Sequence, residues 1–539
     1  MPPEPCGTPA PVRVNSPAPP LEWWRVAAPT VWLPTAQEMA DLDRAAVSSG
    51  AIPERALIEN AGRALALRVQ TRWPEGRVLC LAGSGHNGAD ALVAARTLAA
   101  WGRPVELVSC GSRPPVPDVL AGWDLRLESP AALDSALSRA DVALDGILGT
   151  GVDSAPREPQ AGMIERLNAG GLRVVAVDGP SGIDFTTGAV PGAAVRADLT
   201  VTFGWPKLGL LRFPARDRCG DIEAVEIGFP PPAPPPAARL ITAAWVHALL
   251  GTRPDDAHKA SAGYLALVGG QPGMAGAVVL AARAAIRAGA GIVKVVSAPA
   301  NREIVQTAVP SAVFVDWEDG EAVSATVSWA RAVAIGPGLG TSAGARERVE
   351  RVLSEAGERV VVLDADALNV WEDDPEALAA ALPQRALLTP HPGEMGRLWE
   401  GGREAVLDDP PRVALAVAAR LGCAVLLKGA PTWVATPDGA LRVTSVATPA
   451  FATGGVGDVL TGLAGAYAAA GLEPADAATC ALGISGLAAL AAPGPVGHAA
   501  QDLPDRIPGA RGSLDGLRPG AWPGVLVALP AAHAGPSDD

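Results

Sequence analysis

The sequence predicts an α/β protein built from two doubly wound domains, and three observations lead to that prediction. The chain has 539 residues, more than one hydrophobic core usually organises, so two domains are expected. Short apolar segments that end in Gly, Asp or Ser alternate with stretches rich in Ala, Leu and Arg, as strands alternate with helices. The strand-like segments are apolar almost throughout, which is typical of parallel sheets covered by helices on both faces.

A proline-rich stretch marks the boundary between the two domains. The segment GFPPPAPPPAARL (228–240) has six prolines between Pro230 and Pro236, and such a segment forms a stiff, extended spacer. We therefore expect a disordered extension over 1–33, a front domain over 34–228, a linker over 229–238, a back domain over 239–510 and a flexible tail over 511–539.

The strands can be assigned in order from the apolar runs. In the front domain they are RVLCLAG, PVELVSC, VALDGILG, RVVAVDGPSG and LTVTFG. In the back domain they are YLALVGG, IVKVVSA, AVAIGPGLG, RVVVLDADAL, ALLTPHPGE and AVLLKGA, followed by a hairpin in TWVATPDGALRVTSV that turns at residues 437–439. Most polar residues of interest follow these strands, where parallel sheets bind their ligands.

Charge and composition exclude several classes of function. A formal net charge of -14 argues against binding to nucleic acid or to anionic membranes, which requires clustered Lys and Arg. The longest apolar run, 477–492, is short and rich in small residues, so we expect a buried helix there. The six cysteines show no C-x-x-C spacing, and the first twenty residues resemble no signal peptide. We expect a reduced, cytoplasmic homo-oligomer.

The glycine-rich stretch ATGGVGDVLTG (452–462) precedes a helix-like segment. Such a turn can point its N–H groups at an anion, and the helix adds its positive end. Asp458 repels phosphate, but it is well suited to orient the hydroxyl that attacks a phosphate. The alternative is that Asp458 only caps the helix.

The back domain resembles the ribokinase-like NAD(P)H-hydrate dehydratase family over about residues 240–505. The resemblance depends on motifs that occur in order: HKASAGYLALVGG, MAGAVVLAARAAIRAGAGIV, GPGLG, LDADALN, TPHPGE, LLKGAPT and FATGGVGDVLTG. It implies removal of water from the 6-hydroxy adduct of NADH or NADPH, driven by ADP or ATP. Phosphoryl transfer to the hydroxyl would turn a poor leaving group into a good one.

The same resemblance implies the site residues of the back domain. Asp458 would orient or deprotonate the hydroxyl, and Val456 stands where the family usually has Ser or Thr. The implied hydrate-binding residues are Ala277, Gly338, His391 and Asp458. The implied nucleotide-binding residues are Lys428, Gly429, Ala430, Pro431, Thr432 and Gly457, with Mg²⁺ accompanying ADP. His391 has the alternative of a strand-end histidine bonded to backbone, and Asp364, Asp366 and Glu394 are left open between metal ligands and caps.

The front domain resembles the Rossmann-like NAD(P)H-hydrate epimerase domain over about residues 34–228. By itself, the turn GSGHNGAD after the first strand indicates either a phosphate site or an ordinary strand-to-helix turn. The further motifs are EMADLDRAAVSSGAIPERALIENAGRALA, LDGILGTGV, VDGPSGID and ADLTVTFGWPKLGLL.

This second resemblance implies Asp178 as the acid–base residue, although a turn-forming aspartate is the alternative. The implied K⁺ ligands are Asn87, Asp145 and Ser181, whose hard oxygens suit such a cation. The implied hydrate-binding residues are His86, Asn87, Gly88, Ala89, Asp90, Gly149, Thr150, Gly151, Val152 and Asp178. His86, Ala89, Ala91 and Gly179 depart from the family pattern, and a positive φ at Ala89 would cost about 1 kcal/mol.

Together the two halves predict nicotinamide nucleotide repair. The front half would interconvert the R and S hydrates, NADHX and NADPHX, and the back half would convert the S form to NAD(P)H while ADP gives AMP and phosphate. The alternative is a ribokinase-class kinase for a vitamin precursor, with a non-catalytic front binding domain. A kinase would leave a stable phosphorylated product, whereas the dehydratase would release inorganic phosphate.

Overall fold

The computed structural model describes residues 30–111, 118–151, 153–372, 374–492, 496–515 and 525–532. Each half of the chain folds around one large sheet, and the prediction of two doubly wound α/β domains is confirmed. Most neighbouring strands are parallel, so their carboxyl ends share one edge of each sheet.

The front sheet has its switch point beside the glycine-rich turn. Its strands are β1 (Val78–Ala82), β2 (Val105–Ser109), β3 (Leu127–Glu128), β4 (Val142–Gly146), β5 (Arg173–Val177), β6 (Leu199–Phe203) and β7 (Asp221–Val225). Its helices are α1 (Ala36–Ser48), α2 (Glu54–Arg72), α3 (His86–Ala100), α4 (Leu133–Leu137) and α5 (Gln160–Ala169). The order β7-β6-β5-β4-β1-β2-β3 reverses direction between β4 and β1, which is where such sheets bind ligands.

The back sheet is larger and has a comparable switch point between β9 and β12. Its strands are β8 (Ala238–Leu240), β9 (Tyr264–Val268), β10 (Ile292–Ser297), β11 (Val313–Asp316), β12 (Ala332–Ile335), β13 (Val360–Leu363), β14 (Ala386–Leu388), β15 (Ala424–Leu427), β16 (Trp433–Ala435) and β17 (Leu441–Val443). The strand order is β11-β10-β9-β12-β13-β14-β15-β16-β17-β8. β16 and β17 form the predicted antiparallel hairpin.

Thirteen helices surround this sheet among the described residues. They are α6 (Ala243–Leu250), α7 (Ala275–Ala288), α8 (Arg302–Ala308), α9 (Gly320–Trp329), α10 (Ala343–Ala356), α11 (Asp366–Asn369), α12 (Pro375–Ala381), α13 (Pro392–Leu398), α14 (Gly402–Asp408), α15 (Pro410–Leu421), α16 (Val456–Ala469), α17 (Pro474–Leu490) and α18 (Leu503–Asp515). Most of the apolar run at 477–492 lies in α17, which is largely buried. Within the parts of the chain that the structure describes, every helix is too short or too polar to cross a membrane.

The last four residues of the predicted disordered extension have a defined structure. Residues 30–33 run beside β8, where the Leu33 N–H donates to the Ala238 carbonyl and the Leu240 N–H to the Val31 carbonyl. Val31 and Leu33 are buried because they alternate with Trp32, as in a strand, and one continuous apolar cluster includes them and residues of both domains. The rest of the extension, 1–29, lies outside the described residues.

The expectation of a flexible tail from residue 511 also fails for part of that segment. Helix α18 continues to Asp515, and residues Val525–Leu529 form β18, which pairs antiparallel with β7 of the front sheet. The alternating sequence VLVAL suits an edge strand, with Val527 and Leu529 buried. Residues 525–529 therefore return from the back domain to the front domain.

Candidate active sites

Asp364 is the centre of a buried polar network in the back domain. It follows β13, is 1% exposed, and accepts hydrogen bonds from Thr389 Oγ1 at 2.8 Å and from Thr461 Oγ1 at 2.6 Å. The Lys428 ammonium lies 2.5 Å from its Oδ1. A buried carboxylate requires such partners because its removal from water is costly. The network therefore holds Lys428 beside α16, the helix that carries Thr461.

Lys428 remains a cation in this environment. Burial alone would lower its pKa, but the carboxylates of Asp364 and Glu394 outweigh burial and raise the pKa above its ordinary value. A Cβ atom at Gly457 would lie 3.3 Å from the Lys428 Nζ. Glycine at this position therefore lets the loop backbone and the ammonium approach each other closely, as a shared anion site requires.

Asp458 is the third residue of α16 and does not cap it. The N-cap is Gly455, whose φ of 92° places it in the left-handed region that glycine adopts easily. Among the described residues no donor bonds to the Asp458 carboxylate, and its pKa is raised to about 7 by burial first and then by the charge of Asp364. A partly buried, unpartnered carboxylate with that pKa can act as a base at neutral pH.

His391 caps a helix with one ring nitrogen. Its Nδ1 accepts from the backbone N–H groups of Gly393 at 2.9 Å and Glu394 at 3.3 Å, at the start of α13. In return the Glu394 carboxylate accepts from the His391 N–H at 2.8 Å. The alternative of a histidine bonded to backbone therefore holds for Nδ1. Because Nδ1 accepts these bonds, the ring proton is on Nε2. The side chain is 53% exposed, and its Nε2 lies 3.5 Å from the Glu394 carboxylate.

Ala277 and Gly338 form one wall next to the glycine-rich loop. A Cβ at Gly338 would lie 3.1 Å from the Ala277 Cβ, a tight contact that places the two residues side by side. One turn further along α7, Leu280 packs against Gly455, since a Cβ on that glycine would lie 2.7 Å from its Cδ1. The structure therefore brings this part of the predicted hydrate set close to the Asp458 loop.

The predicted nucleotide loop follows β15. Thr432 Oγ1 donates to the Gly429 carbonyl at 2.8 Å, which closes a short turn whose residues Gly429 and Ala430 are exposed. Lys428 points from this turn toward Asp364, whereas Pro431 is buried. The turn and Gly457 thus approach the same ammonium from β15 and from α16.

Asp178 follows β5 in the front domain and has an unusual backbone. Its φ of 62° is a left-handed value, rare for a residue with a side chain and often found at functional sites. Its Oδ1 accepts from Thr202 Oγ1 and the Phe203 N–H, each at 3.0 Å, and from the Lys207 ammonium. Its Oδ2 accepts no bond within the described part of the chain. The three donors orient the carboxylate and leave one oxygen for a ligand.

The three predicted K⁺ ligands lie together at the switch point. Asp145 is fully buried and accepts from Ser181 Oγ at 2.6 Å and from the Ser181 N–H at 2.8 Å. Asn87 Nδ2 donates to the Leu148 carbonyl at 2.7 Å, and the Leu148 N–H donates to Ser181 Oγ at 2.8 Å. Burial raises the pKa of Asp145 to about 6 despite these bonds. The atoms that these residues offer to a metal ion are oxygens, and only one residue supplies a carboxylate. Such a set suits a monovalent cation better than a divalent one.

The substituted turn of the front domain is not strained at Ala89. Helix α3 begins at His86, so Ala89 has a helical backbone with a negative φ. The free-energy cost of a positive φ at Ala89 therefore does not arise. Asp90 is buried, and its pKa is raised well above its ordinary value by burial and then by the nearby Asp178 charge. His86 is exposed and lies 3.3 Å from Glu54.

The departure at Gly179 and the loop at residues 149–151 also have a structural account. A Cβ at Gly179 would lie 2.3 Å from the Phe185 ring, so that ring fills the space of the missing side chain. A Cβ at Gly149 would lie 3.2 Å from the Asn87 Cβ, which places this loop against the turn. Gly88 packs on Gly83, Thr150 is half-buried, Gly151 is exposed, and Val152 lies outside the described residues.

Sequence reasoning missed Lys207 and gave no role to Asp364. Lys207 is 1% exposed and bonds Asp178, Thr202 and the Phe203 carbonyl. A signal was present, because a lysine inside the apolar run TVTFGWPKLGLL must find a buried partner. Asp364 carried the same signal, directly after the apolar strand RVVVL.

Two family models match the chain. One is described as NAD(P)H-hydrate dehydratase and matches residues 265–508, and the other is described as YjeF-related protein N-terminus and matches residues 54–209. The bifunctional NAD(P)H-hydrate repair enzyme Nnr of Salinibacter ruber is 36% identical over 517 residues, covering 88% of this chain and 95% of that protein. The protein of the same name from Moorella thermoacetica is 35% identical over 83% of this chain and 90% of its own length. A crystal structure of the ADP/ATP-dependent NAD(P)H-hydrate dehydratase of Bacillus subtilis with ATP/Mg²⁺ is 27% identical and covers 51% of this chain and 98% of that one, with a TM-score of 0.44.

Proposed function

The chain belongs to the bifunctional NAD(P)H-hydrate repair enzymes, and from that premise we propose that it epimerises NADHX and NADPHX and dehydrates the S epimers with ADP. One observation carries the proposal for the back half. Asp458 is a partly buried carboxylate with a pKa of about 7, and it lies in the first turn of α16, after a glycine-rich loop and beside the Lys428–Asp364 ion pair. Such a site can activate a hydroxyl next to a phosphate.

In the dehydration, Asp458 takes the proton of the C6 hydroxyl while the oxygen of that hydroxyl attacks the β-phosphorus of ADP. The new O–P bond forms while the bond between the β-phosphorus and the oxygen shared with the α-phosphate breaks, and AMP leaves. The C6–O bond then breaks with both electrons on phosphate, and loss of the C5 proton restores the ring double bond. The products are NAD(P)H, AMP and phosphate, so every atom of hydrate and ADP is accounted for. Lys428 and the N–H groups around Gly457 would balance the phosphoryl charge.

The remaining back-domain residues have supporting roles in this proposal. Gly429, Ala430, Pro431 and Thr432 would bind ADP at the turn after β15, and a Mg²⁺ ion on its phosphates would neutralise charge. Ala277 and Gly338 would contact the hydrate, and the exposed His391 ring would turn its Nε2 from Glu394 to donate to it. The proximity of Gly338 to Ala277, and of Gly455 to Leu280 on the same helix, supports this placement.

In the epimerisation, Asp178 would carry one proton in both directions. Its free Oδ2 gives a proton to the departing C6 hydroxyl, the ring nitrogen stabilises the cation that remains, and water adds to the other face and returns a proton. The support is the fixed orientation of the carboxylate by Lys207 and two further donors. The hydrate would lie against residues 86–90 and 149–152.

A potassium ion would be held by Asn87, Asp145 and Ser181. The fit is supported by the oxygen-only donor set, including the Asn87 Oδ1 and the buried Asp145 carboxylate. Its charge would hold phosphate or hydroxyl oxygens of the substrate in place. We also propose that the protein is cytoplasmic and forms a homo-oligomer. Val313 on edge strand β11 and Ile304 on α8, exposed by 48% and 52%, support the oligomer.

The test is incubation of the full chain with mixed R and S hydrates, with and without ADP, followed by chromatography of both epimers. We expect both epimers to disappear only when ADP is present, with equal amounts of AMP, phosphate and NAD(P)H formed. Asp458→Asn should stop consumption of both, whereas Asp178→Asn should leave the R epimer behind.

Other outcomes contradict the proposal in distinct ways. A stable phosphorylated product would indicate a kinase instead. Loss of the S epimer alone by the unmodified chain would show that the front half does not epimerise, which is the scaffold alternative.

A further inference from the structure

A second cleft opens on the carboxyl edge of the back sheet, beyond Gly338 and on the side away from Lys428. It has a volume of about 340 Å³ and is bordered by the loops after β9, β10, β11 and β12. Its lining includes Gln271, Ala298, Pro299, Trp317, Ser342 and Arg348. The loops after β9 and β12 meet at the switch point of this sheet, where α/β proteins bind ligands.

We propose that this cleft binds the adenosine and phosphate portion of the dinucleotide hydrate, with Arg348 and Trp317 as binding residues. The inference rests on the proposed dehydration, because it extends the same substrate away from Asp458. It assigns the cleft to the part of the substrate that does not react.

The lining offers the surfaces that a nucleoside phosphate needs. The Arg348 guanidinium lies 4.3 Å from the centre of the Trp317 ring, so a planar cation and an indole are held together in the cleft. Ala298 and Pro299 add apolar surface for a base. Ser342 is the N-cap of α10, a helix of 14 residues, so the positive end of that helix also faces the cleft.

Glu318 opposes an anion in this cleft. Its carboxylate lies 3.0 Å from Arg348 and its side chain is 63% exposed. A phosphate would therefore compete with Glu318 for the same guanidinium, and the competing carboxylate could turn into solvent. This arrangement predicts effects of opposite sign when the two charges are removed one at a time.

The cleft is continuous with the predicted hydrate site. The Gln271 N–H donates to the Gly338 carbonyl at 2.6 Å, and a Cβ at Gly340 would touch the Gln271 side chain. Asp366 accepts from the Gly340 N–H at 2.8 Å and raises the pKa of Asp458. Hydrogen bonds thus join the cleft to the loop that carries Gly338 and Gly340, and the Asp366 carboxylate links that loop electrostatically to Asp458.

The strand order places the two nucleotides on opposite sides of the reacting hydroxyl. Asp364 follows β13, and β13 lies two strands from β9 and two strands from β15. Strands lie ~4.8 Å apart, so each site is about 10 Å from the centre along the sheet. ADP at the turn after β15 and the adenylate of the hydrate beyond β9 would not overlap.

The test compares the dinucleotide hydrate with the hydrate of the reduced mononucleotide, which lacks the adenylate. For Arg348→Gln we expect KM for the S dinucleotide hydrate to rise about tenfold with kcat within about twofold, since one charge-assisted contact is lost. Kinetics with the mononucleotide hydrate should not change. Glu318→Gln should lower KM for the dinucleotide. Arg346→Gln is the matched control. Arg346 lies on the same helix as Arg348 and also stacks on an indole, that of Trp371 at 4.4 Å, but it does not line the cleft.

Equilibrium dialysis with ADP-ribose, at saturating ADP, measures the cleft without catalysis. We expect Arg348→Gln to bind ADP-ribose about tenfold more weakly than the Arg346→Gln control at one site. Equal isotherms, or equal losses with both hydrates, would overturn the proposal. If the unmodified chain did not dehydrate at all, the proposed function would fail, and the dialysis would still decide whether the cleft binds a nucleotide.

Discussion

Replacing Asp364 with asparagine tests whether its charge tunes the proposed base. The side chain keeps its size, its amide oxygen can still accept from Thr389, and its amide NH2 can donate to the Thr461 hydroxyl oxygen, so the main change is the loss of one negative charge. That charge raises the pKa of Asp458 and holds the Lys428 ammonium. Its removal should therefore make Asp458 easier to ionise.

The size of the effect follows from the causes of the shift. The pKa of Asp458 stands at about 7, against an ordinary 3.8, because of burial and then because of Asp364. In Asp364→Asn the burial remains while Lys428 acts unopposed by that carboxylate, and one nearby charge typically changes a pKa by ~1 unit or more. Activity requires the ionised base, so it rises with pH through this pKa. The acidic limb of the variant should thus lie about one pH unit lower, worth ~1.4 kcal/mol.

The assay is the rate of dehydration of the S hydrate at saturating ADP. The pH is varied between about 5 and about 9, roughly two units on each side of neutrality. The plateau should fall because Lys428 loses its anchor, but each profile is normalised to its own plateau. Thr461→Val removes a hydrogen bond to Asp364 and no charge, so its limb should stay in place. An unmoved limb in Asp364→Asn, or an equal movement in Thr461→Val, would refute the electrostatic reasoning.

The other predictions concern the front half and the returning strand. Lys207→Met should slow epimerisation by about 10²-fold or more, since it removes a donor to the Asp178 carboxylate, while dehydration of pure S hydrate stays unchanged; equal loss of both activities would contradict this. Potassium chloride should raise the thermal midpoint of the front-domain transition relative to tetramethylammonium chloride, and Asp145→Asn should abolish that difference; a difference that persists would remove Asp145 from the cation site. Truncation after residue 515 removes β18 and should lower the front-domain midpoint by a few degrees, ~2–4 °C per kcal/mol, leaving the back domain unaffected; calorimetry in which the front transition does not move would show that the strand adds no stability.

Much of the fold is evident from the sequence because both sheets are buried on both faces. The apolar runs around β1, β5 and β13 ended in polar residues, and each became a central strand. Apart from β7, the strands that the pattern did not reveal are at edges or are short. β7 is not an apolar run because it carries Asp221 and Glu223. These two residues form ion pairs with Arg72 and Arg68. β18 was hidden because its partner strand lies about 300 residues earlier in the chain.

The candidate sites were foreseeable as positions but not as networks. Asp458, Asp178 and Asp145 each follow from a loop at a strand or helix end, which sequence spacing reveals. Their partners come from distant segments, as when Lys207 meets Asp178 and Lys428 meets Asp364. Only tertiary packing shows that Gly455 rather than Asp458 caps α16, or that Phe185 fills the space beside Gly179.

The most direct test of the account is the single-turnover rate of S-hydrate dehydration by Asp458→Asn. The amide cannot take a proton, so we expect the rate to fall by about 10²- to 10⁴-fold, with binding of ADP and hydrate changed by no more than a few-fold. An asparagine variant that releases AMP, phosphate and NAD(P)H at the unmodified rate would contradict the role of this carboxylate and the mechanism built on it.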